Sequence, residues 1–234
     1  MTSLDGATVL VTGANGGLGT QFVHQALTRG ATKVYATARR PHDWDDPRIV
    51  PLRLDVTDPD SIADAVDAAP DVTVLINNAG ITPATTSLLA SSDADLRATF
   101  EANFFGPVRL ATAFAPLLAQ HPGASALIDV HSVASWYAFA GSYSASKAAL
   151  WSATNSLRLE LAPQGTQVVG VHVGYVDTPM AATATGPKVD PAALIAQVYD
   201  VLEAGGYEVL GDDLTVQVKQ GLAAPVEVLY PQLG

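Results

Sequence analysis

ATVLVTGANGGLG, residues 7–19, is the stretch whose reading decides the fold. Residues 7–12 form a short apolar, β-branched run, the pattern of a strand buried on both faces. Gly13, Gly17 and Gly19 follow it, spaced GxxxGxG. From Gly17 to Thr28, Leu18, Phe22, Val23, Ala26 and Leu27 recur at helical spacing. A strand, a glycine turn and a helix in direct succession make an anion cradle. Glycine permits a sharp turn and a close backbone approach, and the helix aims its free N–H groups and the positive end of its dipole at a phosphate.

The same alternation runs on through the chain. Strands are expected at 33–38, 49–56 (interrupted at Pro51), 72–78, 125–132, 166–173 and 207–210. Helices are expected at 61–69, capped by Asp58 or Asp60, and at 142–161, 191–204 and 213–222. A long helical region spans 92–119, with Pro107 and Pro116 as its expected breaks. Alternating strands and helices imply a parallel sheet covered on both faces and wound with right-handed crossovers. The fold class is therefore α/β, a doubly wound Rossmann fold in which ligands lie beyond the carboxyl ends of the strands. One domain over 1–234 is expected, with the substrate site in loops near 81–92, 133–142 and 174–190.

Composition narrows the function. A formal net charge of -11 opposes a phosphate backbone, so no nucleic-acid partner is expected. The chain has no cysteine, which excludes disulfides and thiolate catalysis and fits a cytoplasmic setting. No apolar run suits a membrane span, and the start lacks a signal-peptide pattern, so no membrane partner is expected. The five histidines show no ligand spacing, and no metal is expected.

Polar residues gather where the expected strands end. The second strand ends in Ala38, Arg39 and Arg40, with no carboxylate at its tip. A carboxylate there would accept from a ribose 2′-hydroxyl, whereas Arg39 suits a 2′-phosphate. The choice is NADP(H), with NAD(H) second, although Gly16 stands where a basic residue could have added a phosphate contact. Asp55 ends the third strand and could accept from an adenine amino group. In NNAG, 77–80, Asn77 can tie strands together and Gly80 lets backbone approach a ligand. Asn103 is a poor helix-interior residue that needs a local reason, such as a kink or a held water.

HSVASWYAFAGSYSASK, 131–147, contains two tyrosines and ends in one lysine. A tyrosine of ordinary pKa near 10 needs a neighbouring positive charge to exchange protons near neutrality. Tyr143 has Lys147 four residues on, on the same helical face, whereas Tyr137 has Gly141. Tyr143 is thus the acid–base candidate and Tyr137 a substrate-facing or packing ring.

In this order, TGANGGLG (12–19), Asp55, NNAG, Asn103, Ser132, YSASK (143–147) and GYVDT (174–178) resemble the short-chain dehydrogenase/reductase family in its compact form. The resemblance implies a seven-stranded sheet and hydride transfer between a nicotinamide cofactor and an alcohol/carbonyl pair. It implies Tyr143 as general acid or base, and Lys147 holding the ribose hydroxyls and lowering the tyrosine pKa. It further implies Ser132, rather than Ser135, hydrogen-bonding the carbonyl oxygen, and Asn103 holding a water. Cofactor contacts then fall to Gly13, Asn15, Gly17, Leu18, Gly19, Arg39, Asp55, Val56, Asn78, Ala79, Gly80, Tyr143, Lys147, Val176 and Thr178. Substrate contacts fall to Ser135, Tyr137 and Tyr175, with Thr82, Trp136 and Phe139 nearby.

Three features depart from the family pattern. Val173-Gly174 replaces Pro-Gly, which suggests a looser turn. The segment from Ser132 to Tyr143 is short, and the segment 180–189 is a short lid that suggests an open site. The competing function is a cofactor-binding sensor or scaffold on the same fold. A sugar epimerase or dehydratase would need a larger substrate domain. A homodimer or homotetramer is expected through helices near 92–119 and 142–162, with Ala148, Ala149, Leu150, Trp151 and Leu157 as an apolar face.

Overall fold

The computed structural model describes residues 2–233. Seven strands form one parallel sheet: β1 (Thr8–Thr12), β2 (Lys33–Ala38), β3 (Ile49–Arg53), β4 (Val74–Asn77), β5 (Ser125–Val130), β6 (Thr166–His172) and β9 (Glu208–Leu210). Their order across the sheet is β3-β2-β1-β4-β5-β6-β9. A separate parallel pair, β7 (Tyr175–Val176) and β8 (Lys188–Val189), follows β6. The order reverses at β1, so β1 and β4 diverge at a switch point where a Rossmann-type sheet opens a crevice.

The side-chain period of two divides the core. Val9 and Val11 of β1, Val34 and Ala36 of β2, and Val74 and Ile76 of β4 face one layer. That layer is closed by α1 (Gly17–Thr28) and α6 (Pro191–Glu203). Leu10, Tyr35, Leu75 and Leu127 face the other, closed by α2 (Pro59–Ala68), α4 (Gly106–Leu118) and the end of α5 (Ser142–Leu161). Both faces of each central strand are therefore dry, which explains why they read as continuous apolar runs. Pro51 is tolerated because β3 is an edge strand.

Side-chain caps set the helix starts. Asp58 accepts from the Asp60 N–H at the start of α2, and Asp190 from the Ala193 N–H at the start of α6. The helix α3 (Asp93–Phe100) begins at Ser92, which accepts from Asp95, and α7 (Asp213–Gly221) at Asp212, which accepts from Thr215.

Three expectations need correction. The long helix 92–119 breaks at a π-helical turn, Glu101–Phe105, rather than at a proline. Pro107 sits in the first turn of α4, where its missing N–H costs nothing, and Pro116 lies near the C-terminal end of that helix. The third strand stops at Arg53, and Asp55 belongs to the turn that follows. The proposed apolar face for a partner is used within the chain: Leu150 is buried, Trp151 packs on Trp136, and Leu157 joins the second core layer. Phe105 and Leu159 remain exposed on these helices. Beyond Ala223, where the sequence shows no pattern, the chain forms the short helix α8 (Val226–Leu229). Among the described residues no helix is long and apolar enough to cross a membrane.

Candidate active site

The glycine turn sits at the switch point. Gly13 has φ +66°, and a Cβ there would lie 3.0 Å from Ala79 Cα. A Cβ on Gly19 would overlap the Gly13 carbonyl oxygen, so the turn closes only with glycine. On Gly17 it would lie 2.6 Å from Thr178 Cγ2, which puts the start of α1 against the loop after β6. No side chain caps α1 at Gly16, leaving its first N–H groups free for an anion. Leu18 and Asn15 complete the turn, and Asn15 donates to the Arg40 carbonyl at 2.9 Å.

The end of β4 is bolted to this turn. Thr12 Oγ1 accepts from the N–H groups of Asn78 and Ala79, both at 2.9 Å. The Asn78 side chain donates to the Thr12 carbonyl at 2.8 Å and the Gly13 carbonyl at 3.3 Å. Asn77 faces inward, donating to the Pro107 carbonyl at 3.2 Å and to Asp129 at 2.9 Å.

Arg39 and Arg40 are exposed at the tip of β2. Among the described residues neither forms an ion pair. Asp55 accepts from the Thr57 N–H at 3.0 Å and its hydroxyl at 2.7 Å. Burial pushes the Asp55 carboxyl up, but the Thr57 contacts and the charges of Arg39 and Arg53 hold it below its ordinary value. Val56 lies beneath the start of α4, where a Cβ on Gly106 would stand 2.7 Å from the Val56 carbonyl oxygen.

Asn103 occupies the π-helical turn, and this accounts for an asparagine in a helix. Its Oδ1 accepts from the Ile81 N–H at 2.8 Å, and its Nδ2 donates to the Ile81 carbonyl at 2.9 Å and to Ser146 Oγ at 3.1 Å. The widened turn lets this amide clamp the chain leaving β4. Gly80 lies between Asn103 and Lys147: a Cβ there would stand 3.1 Å from Asn103 Oδ1 and 3.8 Å from Lys147 Nζ.

Ser132, Tyr143 and Lys147 come together at the end of β5. Ser132 Oγ accepts from the Ala134 N–H at 3.1 Å and donates to the Val173 carbonyl at 3.4 Å, near enough to the Tyr143 hydroxyl to lower its pKa. Lys147 is buried and donates to the Val130 carbonyl at 2.7 Å, with Nζ 5.8 Å from the Tyr143 ring centre. Burial pulls the lysine down to about 8, against the opposing charge of Asp129. Burial pushes the tyrosine above its ordinary value, and the Ser132 contact relieves only part of that. The expected lowering by Lys147 is thus not produced by the chain alone, because the ammonium sits at the ring and the Val130 carbonyl.

Thr178 packs against Gly17, and its hydroxyl donates to the Val176 carbonyl at 3.3 Å. Val176 is buried. Gly174 does not sit in a loose turn: its N–H donates to Asp212 at 2.6 Å, and the same carboxylate caps α7. Asp212 thereby supplies the restraint that a proline would otherwise give.

Of the residues expected to meet substrate, Tyr137 is half-buried and Tyr175 exposed. Ser135 is a correction. The 3-10 turn Val133–Ser135 turns it inward, and its hydroxyl is sealed from solvent without a partner. Trp136 is another: it is buried and stacked on His172 at 3.9 Å rather than facing the mouth.

Two buried groups escaped the sequence reading. Asp129 accepts from Thr154 at 2.6 Å as well as from Asn77, directly behind Lys147. Burial pushes its carboxyl up. Its signal was an aspartate inside the apolar strand SALIDV. His131, His172 and Trp136 form a buried stack, with the two histidine rings 4.6 Å apart. His172 Nδ1 lies 3.3 Å from the Ser132 carbonyl, a partner no local pattern reveals.

The family model described as short chain dehydrogenase matches residues 7–188. The chain is 39% identical over 189 residues to the short-chain dehydrogenase PC-15 of Penicillium crustosum, covering 73% of this chain and 66% of that protein. It is 33% identical over 202 residues to the NADPH-dependent 1-acyldihydroxyacetone phosphate reductase of Schizosaccharomyces pombe, covering 82% and 67%. The chain thus spans about two thirds of the length of these relatives. Among solved structures, a short chain dehydrogenase from Burkholderia cenocepacia in complex with NADP superposes with TM-score 0.90 at 36% identity, covering 100% of this chain and 99% of that one.

Proposed function

Because this chain belongs to the short-chain dehydrogenase family, we propose that it is an NADP(H)-dependent carbonyl reductase or alcohol dehydrogenase with Tyr143 as its general acid and base. The observation that carries the reading is the buried Lys147 set between the Tyr143 ring and Gly80, with Ser132 close by and the glycine turn packed on the adjacent Ala79.

The residues suit a nicotinamide dinucleotide. Gly13, Gly17 and Gly19 form a cradle that side chains would fill, and the uncapped start of α1 offers N–H groups to a diphosphate. Asn78, Ala79 and Gly80 border the cradle, Asp55 and Val56 take the adenine side, and Val176 and Thr178 the nicotinamide side. Unpaired Arg39 supports NADP(H), as do the cofactors named for two of the similar proteins. When bound, the cofactor supplies or accepts the hydride.

The chain's own residues handle the proton and the geometry. In carbonyl reduction, Tyr143 gives its phenolic proton to the carbonyl oxygen. A phenol of ordinary pKa near 10 carries its proton at neutral pH, and the Lys147 ammonium, 5.8 Å from the ring centre, lowers the cost of giving it up. Ser132 donates a hydrogen bond to the same oxygen as charge develops there. The buried ammonium of Lys147 stabilises the phenolate left behind and holds the ribose hydroxyls. Asn103 fixes the floor through the Ile81 backbone. Tyr137 and Tyr175 meet the substrate. A small-molecule carbonyl or alcohol is the partner, in a homodimer or homotetramer in the cytoplasm, with the substrate site built into the one domain.

A carbonyl panel run with NADPH and NADH in parallel tests this reading. Turnover that prefers NADPH is expected. Tight NADPH binding with no turnover of any carbonyl would favour a sensor instead.

A further inference from the structure

The aromatic wall continues into the C-terminal tail. Tyr230, directly after α8, stacks on Tyr137 with ring centres 5.2 Å apart and planes at 20°. Its hydroxyl also accepts the Ala138 N–H at 2.8 Å. From Tyr137 the contact passes to Phe139 at 5.7 Å, and from Phe139 to Tyr175 at 6.4 Å, edge to face.

Four rings from three chain segments thus form a continuous arc. Tyr137 and Phe139 lie between Ser132 and Tyr143, and Tyr175 leads into Thr178. The arc is therefore tied by the chain to the proton-transfer residues, beyond the carboxyl ends of β5 and β6. Phe139 and Tyr175 are each 39% exposed, so the arc presents ring surface to the solvent side rather than closing into the core.

Tyr230 is what secures the far end. The segment 137–141 has a positive-φ glycine, Gly141 at +54°, and the Ala138 N–H would otherwise face solvent. The tail around Tyr230 has little other purchase: Val226, Val228 and Leu233 are 52%, 61% and 65% exposed. Leu229 touches down near Gly221, where a Cβ would meet its Cδ2 at 2.9 Å. The ring and the hydroxyl of Tyr230 thus clip the tail and the loop to each other.

We propose that Tyr230 is a specificity-determining positioning residue, which holds Tyr137 in place so that the arc selects carbonyl substrates bearing an aromatic ring. Flat rings gain by stacking on a prepared aromatic surface in a way small aliphatic groups do not. The inference rests on the reductase reading above, and two separate measurements keep the two apart.

The first compares acetophenone with 2-butanone, each with NADPH, in wild type, Tyr230→Phe and Tyr230→Ala. Tyr230→Ala should lower the ratio of kcat/KM for acetophenone over that for 2-butanone roughly tenfold, through a higher KM for acetophenone. Tyr230→Phe keeps the stack, loses the hydroxyl contact, and should recover most of the ratio. An equal loss for both ketones marks a merely structural residue and overturns the proposal, as does an unchanged ratio. The second reads acetophenone binding to the NADP-loaded protein by saturation-transfer NMR, with no turnover required. Binding in wild type that is lost in Tyr230→Ala supports the arc even if neither ketone is reduced, in which case the reductase reading alone fails. No acetophenone binding to wild type, or equal binding to both proteins, overturns the arc.

Discussion

Replacing His172 with phenylalanine should make the protein less sensitive to acid. The ring lies between His131 and Trp136, fully buried, so phenylalanine keeps an aromatic body in the stack while removing the titratable group. Burial pulls His172 down to about 3; its contact with the Ser132 carbonyl opposes this, and the charges of Lys219, Arg158 and Lys147 add to it. Glu208, 3.9 Å from Nε2, could favour protonation, but it is already paired with Lys219.

The sign follows from which state takes the proton. The unfolded chain protonates this histidine below about pH 6.5, whereas the folded chain resists down to about 3. Stability is therefore lost as pH falls through this window. Each unit of pH costs about 1.4 kcal/mol, so moving from pH 7 to pH 5 removes about 2 kcal/mol through His172 alone. Urea unfolding of wild type and His172→Phe at pH 7, 6 and 5 measures it. Whatever the offset at pH 7, the difference between the two proteins should move by about 2 kcal/mol in favour of the variant at pH 5. Parallel curves would refute the claim that this buried ring stays neutral. His131, whose ring nitrogens have no partner and which burial also holds well below its ordinary value, should add to the acid sensitivity that both proteins retain.

Other predictions address the cofactor and the charge behind Lys147. Gly19→Ala drives a Cβ into the Gly13 carbonyl and should cost about 1–3 kcal/mol in stability, with weakened NADPH binding, read by thermal melts and fluorescence titration. Arg39→Ala should weaken NADPH roughly tenfold or more while leaving NADH nearly unchanged, because it removes a phosphate partner and not a ribose one. Equal losses for both cofactors would place Arg39 elsewhere. Asp129→Asn removes the charge that props up Lys147, so the alkaline fall in kcat/KM should move to lower pH. The new side chain can still accept from Asn77 and can donate to Thr154 Oγ1, which keeps its own donation to the Leu150 carbonyl, so the fold should survive and the pH profile can be read.

Much of this architecture was legible because the signals were local. Buried strands announce themselves as apolar runs, and α5 lies where the sequence placed it, at 142–161. The pairing of Tyr143 with Lys147 needs only helical spacing. What stayed hidden depends on partners distant in sequence. Asn103 breaks the long helix because its amide is claimed by Ile81, whereas proline was the obvious breaker. Trp136 looked like a substrate wall beside Tyr137, but His172, at the end of β6 and distant in sequence, stacks on it in the interior. Tyr230 meets Ala138 across a sequence separation of 92, in a tail whose residues form no periodic pattern.

The central claim is that Tyr143 passes the proton, and a Tyr143→Phe variant loaded with NADPH tests it most directly. Fluorescence titration should show NADPH bound nearly as tightly as in wild type, because the glycine cradle and Arg39 are untouched. Mixing that complex with a carbonyl that wild type reduces should then oxidise NADPH at least ~100-fold more slowly, the scale of losing a positioned general acid. Oxidation at the wild-type rate with the cofactor bound would contradict the account.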